Sequence, residues 1–181
     1  MEKLKYDPVT KENRNIAFSI QKTLWPDDPD YYYFVEKSEN NKVDNVAFLV
    51  RLGKEYIGIT GVEVDDDPES IWLGWFGILE PFRRNGYGKQ ILLDTIEYCR
   101  RLNKYEYFRL DTTYWKNRPA LYLYDEVMTF KESYTKEDSE DIKHNYLIYT
   151  YSFHGKKKLW NNRYLGLNTY YEKCKEQTPK F

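Results

Sequence analysis

The chain has 181 residues, 41% of them apolar, and a formal net charge of −1 at neutral pH. That length suffices for one domain with a proper core, and the composition excludes intrinsic disorder and the markedly basic surface of a non-specific nucleic-acid binder. No apolar run approaches the ~20 residues of a membrane span, and two cysteines, Cys99 and Cys174, are too few for a disulfide framework or a four-ligand zinc site.

The opening decapeptide MEKLKYDPVT has no apolar signal core, so a cytoplasmic protein without membrane, metal or nucleic-acid partner is expected. A short strand is expected around Leu4 to Tyr6. Asp7 to Thr10 then offer caps for a helix striped by Ile16, Ala17, Ile20 and Leu24 and stopped at Pro26. Periodicity is ambiguous over residues 27–35, read as a loop and one short helix. A meander comes next: Val46 to Leu52, a two-residue turn at Gly53-Lys54, and Glu55 to Val64.

After the polar loop 65–70, Ile71 to Leu79 is an unbroken apolar run, read as one central strand. Residues 89–102 space Ile91, Leu92, Thr95, Ile96, Cys99 and Leu102 three or four apart, one face of an amphipathic helix. Tyr105 to Thr112 alternates as a strand, and strand, helix, strand in succession predicts a right-handed parallel crossover. Pro119 opens a second helix over residues 119–127. Strands are expected at Met128 to Tyr134 and Asn145 to Phe153 around a charged loop, 135–143. The tail from Gly155 carries the run Lys156 to Lys158, read as solvated surface, and a helix over Thr169 to Gln177. No repeat or linker divides the chain, which reads as a single α/β domain over residues 1–181.

The chemistry concentrates between the central strand and the long helix, in Glu80-Pro81-Phe82-Arg83-Arg84-Asn85-Gly86-Tyr87-Gly88-Lys89. Pro81 stops the strand, two glycines free the backbone, and a helix starts at once. First-turn amides have no partner within their helix and the helix dipole favours negative charge there, so this loop suits phosphate, with Arg83, Arg84 and Lys89 adding full charges. A mononucleotide P-loop is excluded, since Gly88-Lys89-Gln90 lacks its spacing and its magnesium hydroxyl. A dinucleotide fingerprint is excluded too, because Ile91 stands where its third glycine belongs.

Arg83-x-x-Gly86-x-Gly88 after a long apolar strand resembles the acetyl-coenzyme A motif [QR]-x-x-G-x-[GA] of the GNAT superfamily of N-acetyltransferases. A second match, Asn117-Arg118-Pro119-Ala120-Leu121-Tyr122-Leu123-Tyr124, is similar to that family's Asn-x-x-Ala-x-x-x-Tyr. The resemblance covers residues 43–134 best. It departs from the pattern at Met128-Thr129-Phe130, where a Gly-Phe pair is common.

The resemblance implies a GNAT-like domain, a mixed, mostly antiparallel sheet with one β-α-β crossover and helices on both faces. It implies acetyl-coenzyme A as co-substrate and an amine acceptor, either a small molecule or a peptide. Backbone amides from Arg84 through Asn85, Gly86, Tyr87 and Gly88 to Lys89 would hold the pyrophosphate, with Arg83 beside them. Ile78 and Leu79 would meet the pantetheine arm, the Ile78 amide supporting the oxyanion, and Asn117 would contact pantetheine or the adenine side. Tyr124 would protonate the departing thiolate. No base is obvious on the central strand, where Trp72, Trp75 and Phe76 stand. Glu63 is the candidate for relaying the amine's proton through water, ahead of Asp65 and Glu80, with His144 and His154 read as surface residues. The loop with Trp25, Asp27, Asp28, Asp30 and Tyr31 to Tyr33 suits a cationic acceptor by charge and cation–π contact, and equally suits ordinary turn chemistry. A coenzyme-A-binding sensor without turnover and an acyltransferase with another donor or acceptor stay open, and edge strands allow a homodimer.

Overall fold

The computed structural model describes residues 3–40, 42–65, 67–113, 118–137, 143–160 and 170–173. Its contacts divide into two compact units, residues 1–105 and 106–181.

The first unit runs β1 (Leu4–Pro8), α1 (Arg14–Leu24), α2 (Tyr31–Glu39), β2 (Val46–Leu52), β3 (Glu55–Val64), β4 (Ser70–Leu73), β5 (Gly77–Ile78), a single 3-10 turn (Glu80–Phe82) and α3 (Tyr87–Leu102). Strands β1 to β4 lie side by side in chain order, all antiparallel, and β5 also pairs with β3. Strand alternation sorts the side chains to two faces. Ala47, Leu49 and Ile59 pack with Ala17 and Ile20 of α1 and Phe34 of α2. Leu4, Val50 and Ile57 pack with Ile91 of α3. Helix α3 forms because its stripe Ile91, Leu92, Thr95, Ile96 and Cys99 is buried as the spacing predicts, and it ends where Asn103 turns left-handed at φ 50°. Beyond that end, Asp44 accepts hydrogen bonds from Lys104 and from the Tyr105 hydroxyl, tying the helix exit to the loop before β2.

The ambiguous stretch over residues 27–35 resolves into a longer helix than expected, because Asp30 caps it, its Oδ1 accepting from the Tyr33 amide at 3.1 Å. A larger difference concerns the central strand. The run Ile71 to Leu79 is two strands, β4 and β5, with an irregular stretch between them.

The second unit runs β6 (Tyr107–Thr113), α4 (Arg118–Val127), β7 (Phe130–Glu137), β8 (Lys143–Ser152) and β9 (Tyr170–Lys173). The order is β6-β8-β7-β9, all antiparallel. The helix expected over Thr169 to Gln177 is not formed at Tyr170–Lys173, which extends the sheet along β7 instead. Adjacent tyrosines favour a pleated edge, and a window this short carries little helical periodicity. Helix α4 packs on β8, with the Tyr124 and Tyr149 rings 5.4 Å apart and Asp125 accepting from the Tyr149 hydroxyl at 3.0 Å and from Lys131 at 2.8 Å.

The second unit also holds a buried ion pair that no motif or spacing announces. Arg109 and Glu132, 0% and 1% exposed as side chains, stand 3.8 Å apart. Arg109 also donates to Thr150 Oγ1 and to the Lys158 carbonyl, while Glu132 Oε2 accepts from the Trp160 amide at 2.8 Å. Burial outweighs the guanidinium's attraction and pushes the Glu132 carboxyl above the usual carboxylate range.

Candidate active site

The loop after β5 is shaped by its own backbone. The amides of Phe82 and Arg83 donate to the Leu79 and Glu80 carbonyls, closing the 3-10 turn. Arg83 Nε reaches back to the Ile78 carbonyl at 2.9 Å, and Asn85 Nδ2 donates to the Arg83 carbonyl at 3.1 Å. Arg84 and Gly86 are both left-handed, at φ 63° and 80°. Glycine adopts that region freely, whereas an arginine there carries strain of about 1–3 kcal/mol.

Gly86 is the N-cap of α3, and no side chain accepts from the helix's first turn. The Tyr87 and Gly88 amides therefore begin the helix with no carbonyl a turn earlier to bond. A Cβ on Gly86 would meet nothing within 4 Å, so the space beside the N-cap is open. Arg84, Asn85 and Lys89 are exposed beside it. Open amides, a helix dipole and flanking cations fit the pyrophosphate of coenzyme A.

Next to the loop lies the break in the central strand. Val62 stands opposite Leu73 and Ile59 opposite Gly77, so Gly74, Trp75 and Phe76 face only Thr60 and Gly61. One extra residue on one strand is a β-bulge, which bends the strand and re-aims the residues beyond it. Trp75 and Leu79 pack on the α1–α2 side, where the Trp75 ring lies 5.0 Å from that of Trp25, while Phe76 and Ile78 pack on the α3 side. The Leu79 amide donates to the Ile57 carbonyl at 2.9 Å. Amides alternate edges along a strand, so that of Ile78 points away from β3. Leu79, whose carbonyl is also taken by Phe82, has only its side chain to offer a ligand.

Tyr33 of α2 closes this break from above. Its hydroxyl is so near the backbone that a Cβ on Gly74 would stand 2.1 Å from it, and one on Gly61 2.8 Å. Lys37, one turn on, lies 4.7 Å over the Tyr33 ring and bonds Glu63 Oε2 at 3.2 Å and the Asn45 side chain. The Lys37 side chain is 2% exposed and that of Glu63 41%, so Glu63 is held in place yet open to water. Neither Tyr33 as a wedge nor Gly61 and Gly74 as its seat is expected from the motifs. The signal for them was one glycine in each of two stretches that read as strands, Gly61 and Gly74, a mark of close backbone approach.

Among the acidic residues of the α1–α2 loop, Asp30 does turn chemistry as the α2 cap, while Asp27 and Asp28 are exposed.

In the second unit Tyr124 is 7% exposed while Tyr122, on another face of α4, is 76% exposed. Burial, and then the charge of Asp111, push the Tyr124 hydroxyl well above the usual tyrosine range. Asp111, an exposed residue overall, has its carboxyl desolvated enough to be raised as well. Asn117 lies outside the described residues. His154 is exposed. Cys99 is 1% exposed and its thiol is pushed far up by burial, so it is no nucleophile.

A cleft of about 580 Å³ runs beside α3, bordered by Tyr6, Phe48, Asp94 and Tyr98. Tyr87, whose amide opens α3, also lines it. Among the described residues no three His, Cys, Asp or Glu side chains gather as a metal site, and no helix is long and apolar enough to cross a membrane.

The family model described as Acetyltransferase (GNAT) family matches residues 11–130. No curated protein sequence matches the chain. Solved structures do. A GNAT-family acetyltransferase from Streptococcus pneumoniae aligns with TM-score 0.64 at 13% identity, over 83% of this chain and 100% of the other. Arabidopsis thaliana NAA60 in complex with acetyl-CoA aligns with TM-score 0.64 at 13% identity, over 84% and 100%. A spermidine N-acetyltransferase chimera from Vibrio cholerae and hSSAT aligns with TM-score 0.62 at 17% identity, over 81% and 93%. At such identities the likeness is one of fold.

Proposed function

The chain belongs to the GNAT family of acetyltransferases, and we propose that it moves an acetyl group from acetyl-coenzyme A to a primary amine by direct attack in a ternary complex. Residues 1–181 act as one catalytic domain in this reading. The observation that carries it is the N-terminal end of α3, where Gly86 caps the helix with no side-chain hydrogen bond and has open space beside it.

The amides from Arg84 to Lys89 hold the pyrophosphate, with the Arg84 and Lys89 charges beside it and Arg83 bracing the loop against Ile78. The pantetheine arm runs along the outer edge of β5, with the Leu79 side chain against it and Asn117 as a further contact. Water takes the amine's proton and passes it to Glu63. The nitrogen then attacks the thioester carbon, and the Ile78 amide stabilises the oxyanion. As the carbon–sulfur bond breaks, Tyr124 donates to the thiolate. A coenzyme thiol near pKa ~8.5 is a weaker base than a tyrosinate near ~10, and the raised Tyr124 widens that gap at about 1.4 kcal/mol per pKa unit. Tyr124 thus serves chiefly as a hydrogen-bond donor.

The acceptor is an amine of a small molecule or a peptide. The neighbour named as a spermidine N-acetyltransferase chimera shares the fold and supports an amine acceptor. A screen of polyamines, amino-acid amides and short peptides, following free thiol released from acetyl-coenzyme A, tests the proposal. Amine-dependent release supports it. Coenzyme binding without release by any acceptor would identify a sensor instead.

A further inference from the structure

Glycines at 61 and 74 leave room for one group, the Tyr33 hydroxyl. That hydroxyl is buried and makes no hydrogen bond of good geometry, although the Trp75 amide faces it closely enough to act on its ionisation. Burial raises its pKa, and the carboxylates of Glu63, Glu36 and Asp30 raise it further, so it stays neutral. A buried hydroxyl without a well-formed hydrogen bond is a net cost to stability. Packing alone would be served as well by phenylalanine. Yet the oxygen sits where the pairing of β3 passes from β4 to β5, between Gly74 and Gly61. Its ring is held by Lys37 at 4.7 Å and by a T-shaped contact with the Trp75 ring at 6.3 Å.

We propose that Tyr33 is a positioning residue for the acetyl transfer: its hydroxyl, wedged against Gly61 and Gly74, sets the shape of the bulge and so the direction in which the Ile78 amide is presented. The bulge links the two pairings of β3, to β4 at Leu73 and to β5 at Gly77. A change in its depth therefore rotates β5 and with it the oxyanion donor. The role rests on the acetyltransferase reading above. The wedge itself does not.

The test is a cycle of Tyr33→Phe, Gly74→Ala and the double variant, read by thermal melting and by steady-state kinetics. In wild type the added Cβ of Gly74→Ala strikes the Tyr33 oxygen, but with the oxygen gone its nearest ring atom is the ring carbon at 3.2 Å. Gly74→Ala should therefore lower the melting temperature, and Tyr33→Phe should restore most of the loss. Tyr33→Phe alone should melt at or above wild type, yet lose about 10-fold or more in kcat with the KM for acetyl-coenzyme A unchanged. A stable Tyr33→Phe enzyme with wild-type kcat overturns the positioning role. Additive melting shifts overturn the wedge. If wild type binds the coenzyme but releases no thiol with any amine, the acetyltransferase reading fails and the positioning role falls with it, while the melting cycle still reads the wedge.

Discussion

The Leu79 amide donates to the Ile57 carbonyl at 2.9 Å, and this bond turns the amide of the preceding Ile78 to the outer edge of the strand. Arg83 then takes the Ile78 carbonyl on that same edge at 2.9 Å, leaving the amide as the group on offer. Arg83→Ala should therefore act differently from a simple loss of charge. It frees β5 from the loop, so kcat for thiol release should fall along with coenzyme affinity. Arg84→Ala and Lys89→Ala should raise the coenzyme's dissociation constant about 3- to 10-fold, the equivalent of roughly 0.6–1.4 kcal/mol, with little change in kcat. Raising salt should shrink the effect of these exposed charges. Titrations at low and high salt check both.

The loop and the long helix were legible because their signals are local. A stop at Pro81, glycines at 86 and 88 and a 3.6-residue stripe all act within a turn or two of chain. The meander was legible for the same reason. The bulge was not. Nine apolar residues in a row carry no alternation that an extra residue could interrupt, and the wedge that shapes it comes from Tyr33, far back in sequence. The Arg109–Glu132 pair was hidden likewise, since each residue alone looks like a solvated strand position.

Tyr124→Phe should lower kcat by about 10²-fold or more while leaving the coenzyme's dissociation constant unchanged. Because Tyr124 is raised well above the ordinary tyrosine range, its deprotonation should leave no downturn in the pH–rate profile below about pH 10. A wild-type downturn near pH 9 that vanished in Tyr124→Phe would contradict this assignment.

Asp44 is held below the usual carboxylate range by hydrogen bonds from Lys104 and Tyr105. A depressed carboxylate contributes stability that is complete above its unfolded pKa near ~3.9 and is lost as pH falls through the lower folded value. Asp44→Asn should cost about 1–3 kcal/mol at neutral pH and remove that part of the acid sensitivity. Denaturant melts of both proteins between pH 7 and pH 3 read the difference, which should close toward the acid end.

The buried pair in the second unit predicts an asymmetry. Glu132→Ala removes both the carboxylate 3.8 Å from the fully buried Arg109 and the acceptor of the Trp160 amide, and should destabilise by about 3–5 kcal/mol. Glu132→Gln keeps an acceptor for the Trp160 amide and should cost less. Equal melting temperatures for the two variants would show that the bond from the Trp160 amide contributes nothing.

The most direct test of the central claim is calorimetric titration of acetyl-coenzyme A into wild type and Gly86→Val, with circular dichroism as a check on folding. Valine at φ 80° is strained and fills the open space beside the α3 N-cap. Wild type should bind, and the folded variant should bind at least about tenfold more weakly, a loss near 1.4 kcal/mol. Equal affinities would contradict a pyrophosphate held at this loop, and absence of binding by wild type would contradict the whole account.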